Sequence, residues 1–383
     1  LSSNPCEYTL LAPKEINISL TVKLSPLPPL QQLATDWQRL HQQSHAECFL
    51  SWQWIGTWLQ QVSPHFTCLL LSVEETANEN STNTIGLAIL VKRSSGKGLL
   101  KKEQYFVHRT GDESFDQIWI ENNNLLIKSG MEQPVTAAFW SYVHQHFKGR
   151  WQINIGMSHN NDSLRHHNAS SPALHRELID EPGYRIKLGG QTIDSYLQRL
   201  SKNSRYQLRR AIKAFQAVNG DFVVATSPRH QQELLQQGQA WHQQKWRNTP
   251  TPSGFDNPHF VDFHQQLISN GSCTLVAGLY LQQKLEGVLY CLTDNTSVNF
   301  YLSALNPQAD NKLKTGWLLH YKMLEWLMEQ PYQYYDFLAG EARYKQSLGT
   351  EQTRYYYDVY DAPTWLNRLK YGARKVKSRL PSK

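Results

Sequence analysis

Apolar and polar positions along the 383-residue chain alternate between helical and extended periods. Leu30, Leu33, Trp37 and Leu40 recur at helical spacing, and FLSWQWIGTWLQQV (49–62) predicts a second helix. HFTCLLLSV and TIGLAILVKR are Leu-rich and β-branched and predict strands on either side of a polar loop, EETANENSTN. Residues 103–110 and 117–120 read as short strands, 135–147 as a helix, 151–157 as a strand and 158–176 as a polar loop. Residues 1–28, rich in Pro, read as irregular.

The second half is better punctuated. Thr192 caps a helix running to Leu200, and Ser204 with Gln207 forms a capping-box pattern for the next one, which stops at Asn219-Gly220. In that helix Leu208, Ile212 and Phe215 share one face, leaving Arg205, Arg209, Arg210 and Lys213 to solvent or a cleft. A Gln-rich helix (231–246), a proline-rich loop (248–258) and the helix HFVDFHQQLISNG follow. Three strands then come in succession, SCTLVAGLYL, LEGVLYCLT and VNFYLSALN, with joints short enough to make them antiparallel neighbours. Leu313, Trp317, Tyr321, Leu324 and Met328 mark one stripe of a further helix ended by Pro331, and YQYYDFLAG and TRYYYDVYD are the last strands.

This length predicts two domains. The expected boundaries are an irregular segment 1–28, a first domain 29–180, a second 181–365 and a basic tail 366–383. The net charge of +7 points to an anionic partner, and much of the excess follows the last acid, Asp361. That tail is either a solvated helix end or a docking patch for a membrane surface. Five cysteines at wide spacing, without CxxC, argue against a disulfide framework and for a reducing, cytoplasmic location. No apolar run is long enough for a membrane span, and no signal peptide is expected.

Several chemistries are excluded by pattern. Gly96-Lys97 lacks the first glycine of a P-loop, no GxGxxG or GxSxG occurs, and Gln42 breaks a zinc-protease pattern at His41 and His45. No metal site is expected. There remains a loop with Lys312, Lys314, Thr315, Gly316 and Trp317 opening a helix, whose unpaired N–H groups can hold a pyrophosphate. There is also a strand, YYDFLAGEARYKQSLG (334–349), that ends in a dense polar cluster.

With these residues the second half resembles the GNAT acyltransferase superfamily. The resemblance is carried by LSKNSRYQLRRAIKAF (200–215), LKTGWLLHYKMLEW (313–326) and YYDFLAGEARYKQSLG. It is nearest the cellulose-biosynthesis (CelD/BcsL-like) branch, itself similar to the Fem-type aminoacyl transferases. FLSWQW (49–54) and HRTGDESFDQIWI (108–120) extend the resemblance into the first half. It implies an α/β (α+β) fold of two tandem GNAT-like domains, each a mixed, mostly antiparallel sheet flanked by helices, the first degenerate. The third of the successive strands and the next one then splay apart around a thioester.

The resemblance further implies acetyl-CoA or another acyl-CoA as co-substrate, held by Lys312, Lys314, Thr315, Gly316, Trp317 and Tyr301. The reduced loop, with a single glycine, leaves acyl carrier protein or aminoacyl-tRNA as other donors. The acceptor is an amine or hydroxyl, envelope- or polysaccharide-related or a small metabolite. Direct attack requires a base, for which Glu341 and Asp336 are candidates, and a proton donor, Tyr344 or its rival Tyr301. Arg205, Arg209, Trp241, His242, Trp246, Arg343 and Lys345 are candidates for substrate contact. The alternatives are a Fem-like transferase using aminoacyl-tRNA and a non-catalytic GNAT-like module in an envelope assembly.

Overall fold

The fold follows from how the extended segments pair, and a computed structural model describes residues 19–78, 81–159, 163–166, 173–271, 273–309 and 313–377. Its strands are β1 (Ser19–Pro26), β2 (Thr67–Asn78), β3 (Ser81–Ser95), β4 (Lys102–Val107), β5 (Leu126–Ile127), β6 (Trp151–His159) and β7 (Leu174–Lys187). These are followed by β8 (Asp221–Val224), β9 (Thr274–Leu281), β10 (Lys284–Thr293), β11 (Ser297–Leu305), β12 (Tyr334–Ala339) and β13 (Glu351–Asp361). All thirteen join in one mixed sheet, ordered β1-β2-β3-β4-β6-β13-β7-β12-β11-β10-β9-β8, with β5 beside β3. The mixed α/β architecture is as expected, but the two halves share one sheet rather than owning one each. Its seam is β13, the last strand, antiparallel to β6 on one side and β7 on the other.

Among the described residues the helices are α1 (Leu30–Gln42), α2 (Trp52–Val62), α3 (Glu113–Asp116), α4 (Glu132–His146), α5 (Ser163–His166), α6 (Ile193–Arg199) and α7 (Lys202–Ala217). Then come α8 (Pro228–Trp246), α9 (Pro258–Ser269), α10 (Thr315–Leu327), α11 (Arg343–Leu348) and α12 (Trp365–Lys377). The core has three parts. One is shared by both halves: α1 and α2 lie with α8 and α9, and Trp54 meets Phe263 edge-on at 4.8 Å. The other two are local, formed by α4 in the first half and by α6, α7 and α10 in the second.

Several local expectations are corrected. Ser19–Pro26 is a strand paired with β2, not irregular, and the expected boundary at 180/181 falls inside β7. The polar loop after HFTCLLLSV is instead the outer part of a long β2–β3 hairpin. Residues 117–120 are not a strand, because Trp119 sits at a left-handed φ of 42° that extended pairing excludes. Ser201, not Ser204, caps α7 by accepting the Ser204 N–H. Part of the basic tail is helical, as α12.

Two parallel strand pairs have comparable positions, one per half. β4 and β6 pair over Glu103–Phe106 and Trp151–Asn154, and β11 and β12 over Ser297–Asn299 and Tyr334–Asp336. In the first half the strands are pinned together just beyond their pairing. The buried Asn123 side chain donates to the carbonyls of Val107 and Ile155, and its backbone N–H donates to Met157. Asn123→Ala leaves those two buried carbonyls without a donor and is expected to cost about 3 kcal/mol, read as a lower urea midpoint.

Candidate active site

In the second half the gap between the parallel strands stays open, and the backbone shows why. After Asp336 the strand makes no further parallel pair with β11. The Leu338 N–H turns back to the Asp336 carboxylate at 2.7 Å, with Leu338 itself at φ 60°. The Ala339 N–H donates to Glu121 at 2.9 Å, the Ala339 carbonyl accepts from Lys345 Nζ at 2.6 Å, and the Gly340 N–H goes to Pro182. The polar groups that would have continued the ladder are thus satisfied elsewhere, as burial requires. A bulge against β7 accompanies the departure, and Gly340, at φ 123°, lets the chain leave the sheet.

Two clefts meet in this opening. The first, of 440 Å³, lies between Phe300–Ser303 of β11 and Phe337–Ala342 with Tyr344 and Lys345, and is completed by Trp119, Glu121, His242, Lys245 and Trp246. The second, of 700 Å³, runs from Trp241 and Lys245 on α8 to Lys314, Thr315, Gly316 and Trp317 at the start of α10. Lys245, Ser303 and Tyr344 line both. α8 and α10 belong to core regions on opposite sides of the sheet, so the second cleft is lined from both of them and adjoins the first at these three residues.

Glu121 is the most perturbed acid lining the first cleft. Burial pushes its carboxyl up to about 7, against the pull of Lys345 and of the Ala339 N–H. Burial also pushes Lys345 down, opposed by Glu121 and Asp336. Asp336 is raised to about 6 by burial, with the Leu338 N–H opposing. Burial raises the Tyr344 phenol, whose ring stacks on His320 at 5.4 Å. His242 is lowered to about 4 by burial, its Nδ1 2.8 Å from Ser253 Oγ. The Tyr301 hydroxyl donates to the Ile118 carbonyl and lies 3.2 Å from His264 Nε2, while Tyr290 reaches His264 Nδ1 at 3.0 Å. Donor counting makes Nε2 the protonated nitrogen of a neutral His264, in keeping with burial holding that ring down to about 3.

The start of α10 has a different chemistry. Lys314 takes the left-handed conformation at φ 50° and no side chain caps the helix, so its first N–H groups are left for an anion. Trp317 and Leu318 already donate to the Lys314 carbonyl.

The expected residues divide accordingly. Glu341, Tyr344, Lys345, Tyr301, His242 and Trp246 line the first cleft, and Lys314, Thr315, Gly316, Trp317 and Trp241 the second. Five of the expected residues lie elsewhere than expected. Asp336 lies under the strand with its carboxylate committed to Leu338, and Tyr301 lines the Glu121 side with its hydroxyl engaged. Arg205 and Arg209 line neither cleft, Arg209 being exposed on α7 and Arg205 turned to the Gln198 carbonyl, and exposed Arg343 lines neither. Lys312 lies outside the described residues. Glu121 and Lys245 were missed. Glu121 is 218 residues from the amide it holds, and its only local signal is an acid directly after the apolar IWI.

A family model described as "Acetyltransferase (GNAT) domain" matches residues 202–346. Among solved structures, FemX is similar with a TM-score of 0.57 at 10% identity, over 91% of this chain and 100% of that one. A conserved protein of unknown function from Bacteroides thetaiotaomicron VPI-5482 gives 0.52 at 11% identity, over 89% and 99%. No relative is found among curated proteins. The family match supports a GNAT-type transferase domain in the second half, and the structural likenesses extend the fold to nearly the whole chain.

Glu121 yields a stability signature. A carboxyl usually near 4.5 that titrates at about 7 when folded makes the fold bind more protons than the open chain between those values. Its contribution is full below pH 4.5 and is lost as pH rises to 7. Glu121→Gln is therefore expected to flatten the fall of Tm across that window in a thermal melt.

Proposed function

We propose that the chain moves an acyl group from a thioester donor, acetyl-CoA or another acyl-CoA, to an amine or hydroxyl held in the Glu121 cleft. The observation that carries this reading is that the two clefts adjoin, sharing Lys245, Ser303 and Tyr344 in their walls. It puts an uncapped helix start at one end and a carboxyl poised near neutrality at the other.

The residues of the second cleft suit a phosphorylated donor. The free N–H groups of α10 and the Lys314 ammonium offer charge to a pyrophosphate, and Trp241 and Trp317 offer apolar walls to a pantetheine-like arm. When bound, the donor supplies an acyl group on a good leaving thiol. Glu121, as carboxylate, takes the proton that the acceptor amine or hydroxyl loses on attack. Lys245, where the clefts meet, faces the charge that builds on the carbonyl oxygen. Tyr344 lines both clefts and keeps its proton until a thiolate is there to receive it. Lys345 positions Glu121 and pins the Ala339 carbonyl. Glu341 stands at the exposed rim, suited to a cationic part of the acceptor.

The test is acyl transfer from acetyl-CoA to a panel of amines and hydroxyls, followed by mass spectrometry, alongside calorimetric titration of acetyl-CoA. Glu121→Gln is expected to lower kcat about 10²–10⁴-fold with acetyl-CoA affinity unchanged, and Glu341→Gln to act mainly on KM. In the parent, rate rises with pH to a plateau above about 7. Full turnover in Glu121→Gln removes that residue from the chemistry, and absence of acetyl-CoA binding favours the non-catalytic module or another donor. Lys314→Ala with Trp317→Ala is expected to weaken acetyl-CoA binding by roughly tenfold or more.

A further inference from the structure

Away from both clefts, α12 combines two features. Its outward ridge carries Trp365 and Leu369, one helical turn apart and 69% and 64% exposed, among the most exposed large apolar side chains in the described structure. Its inward side is buried at Asn367. Buried Asn367 donates to the Ala362 carbonyl, and the Arg368 N–H donates to the Thr364 carbonyl at the helix start. Among the described residues nothing covers this ridge.

Under the other edge of α12 lies a small pocket of 90 Å³. Lys102, Arg150, Arg176, Lys370, Leu174, Asn367 and Tyr371 line it around Asp361. Four cations face one carboxylate. Asp361 receives Arg176 Nε at 2.7 Å, Gln152 Nε2 at 2.9 Å and Lys102 Nζ at 3.4 Å. Lys102 is held below its ordinary range, first by burial, with Arg176 and Arg150 adding repulsion. Arg150 gives Nη1 to the Leu100 carbonyl, but its buried Nε has no partner among the described residues. The pocket has more positive charge, and at least one more buried donor, than its acid satisfies.

We propose that α12 and this pocket form a docking surface for an anionic membrane. Trp365 and Leu369 enter the boundary between headgroups and acyl chains, and Lys102, Arg150, Arg176 and Lys370 hold a lipid phosphate beside them. Charge complementarity favours this occupant over a second copy of the chain. Seven Lys and Arg and no acid follow Asp361, so two such segments face to face repel. The surface is independent of the acyl-transfer reading and its test does not use activity.

The full chain is mixed with sedimentable vesicles of phosphatidylcholine alone, or of phosphatidylcholine with an equal share of phosphatidylglycerol. It is expected to sediment with the anionic vesicles only, and less so as salt is raised. Trp365→Ala with Leu369→Ala lowers the partition coefficient by at least roughly tenfold, and Arg150→Gln with Lys370→Gln by roughly fivefold per cation removed. Circular dichroism like the parent's shows that each variant is folded, and the exposed Trp365/Leu369 pair carries the test if Arg150→Gln is not. Equal partition to neutral vesicles, no partition to either, or undiminished binding by the Trp365/Leu369 variant overturns the proposal. So does a dimer in sedimentation velocity that those two substitutions abolish, which gives the ridge to a second copy.

Discussion

The site depends on where three consecutive residues at the end of one strand, Leu338 to Gly340, send their backbone hydrogen bonds. Past Asp336 the chain makes no further pair with β11; the Leu338 and Ala339 groups go to Asp336, Glu121 and Lys345, and the Gly340 N–H to Pro182 of β7. A sheet opens stably only when its polar groups are answered on both sides of the break. Here the answering groups also carry the candidate chemistry. Glu121 and Lys345 hold the gap open at its edge and charge its interior, so their positions are fixed by the backbone they hold.

One loop governs both halves. Asn123 closes the gap between β4 and β6, and two residues earlier Glu121 reaches across to the open gap between β11 and β12. Ile118, in the same stretch, receives the Tyr301 hydroxyl and so ties the loop to β11. The left-handed conformations of Trp119 and Asn122 give the loop the sharp changes of direction this requires. The first half thus has its own parallel pair stapled shut and contributes a carboxyl to its neighbour. That division of labour is a physical sense in which one half can be degenerate while the pair works as a unit.

What was legible in the sequence was local. The succession of three antiparallel strands, a helix and a strand ending in Gly340 came from periodicity and turn residues, and the splay from the family resemblance. Tyr344 and Lys345 were found because they sit next to that strand end in the chain. Glu121 was not, since neither spacing nor composition connects it to an amide more than two hundred residues away. Arg205 and Arg209 line neither cleft, and the sequence could not say so, for a related reason. The apolar stripe of α7 says which face is buried but not that the other looks onto solvent rather than a cleft. Asp336 has the composition of a catalytic acid and the bonding of a turn. The pairing of β13 was equally hidden, because an alternating YYY run identifies a strand without naming its neighbours.

β13 has a bearing on how the molecule comes into being. It lies between β6 and β7, so the sheet of the first half keeps an open edge along β6 until residues 351–361 arrive. During synthesis the ribosome delivers that strand about two hundred residues after β6, a separation that makes closure slow and non-local. Through that interval β6, with Trp151, Ile153 and Ile155 buried in the finished fold, presents an unpaired edge to any other extended chain nearby. The keystone of the arch is therefore its last stone, and a nascent chain stalled before it is exposed to pairing with its neighbours.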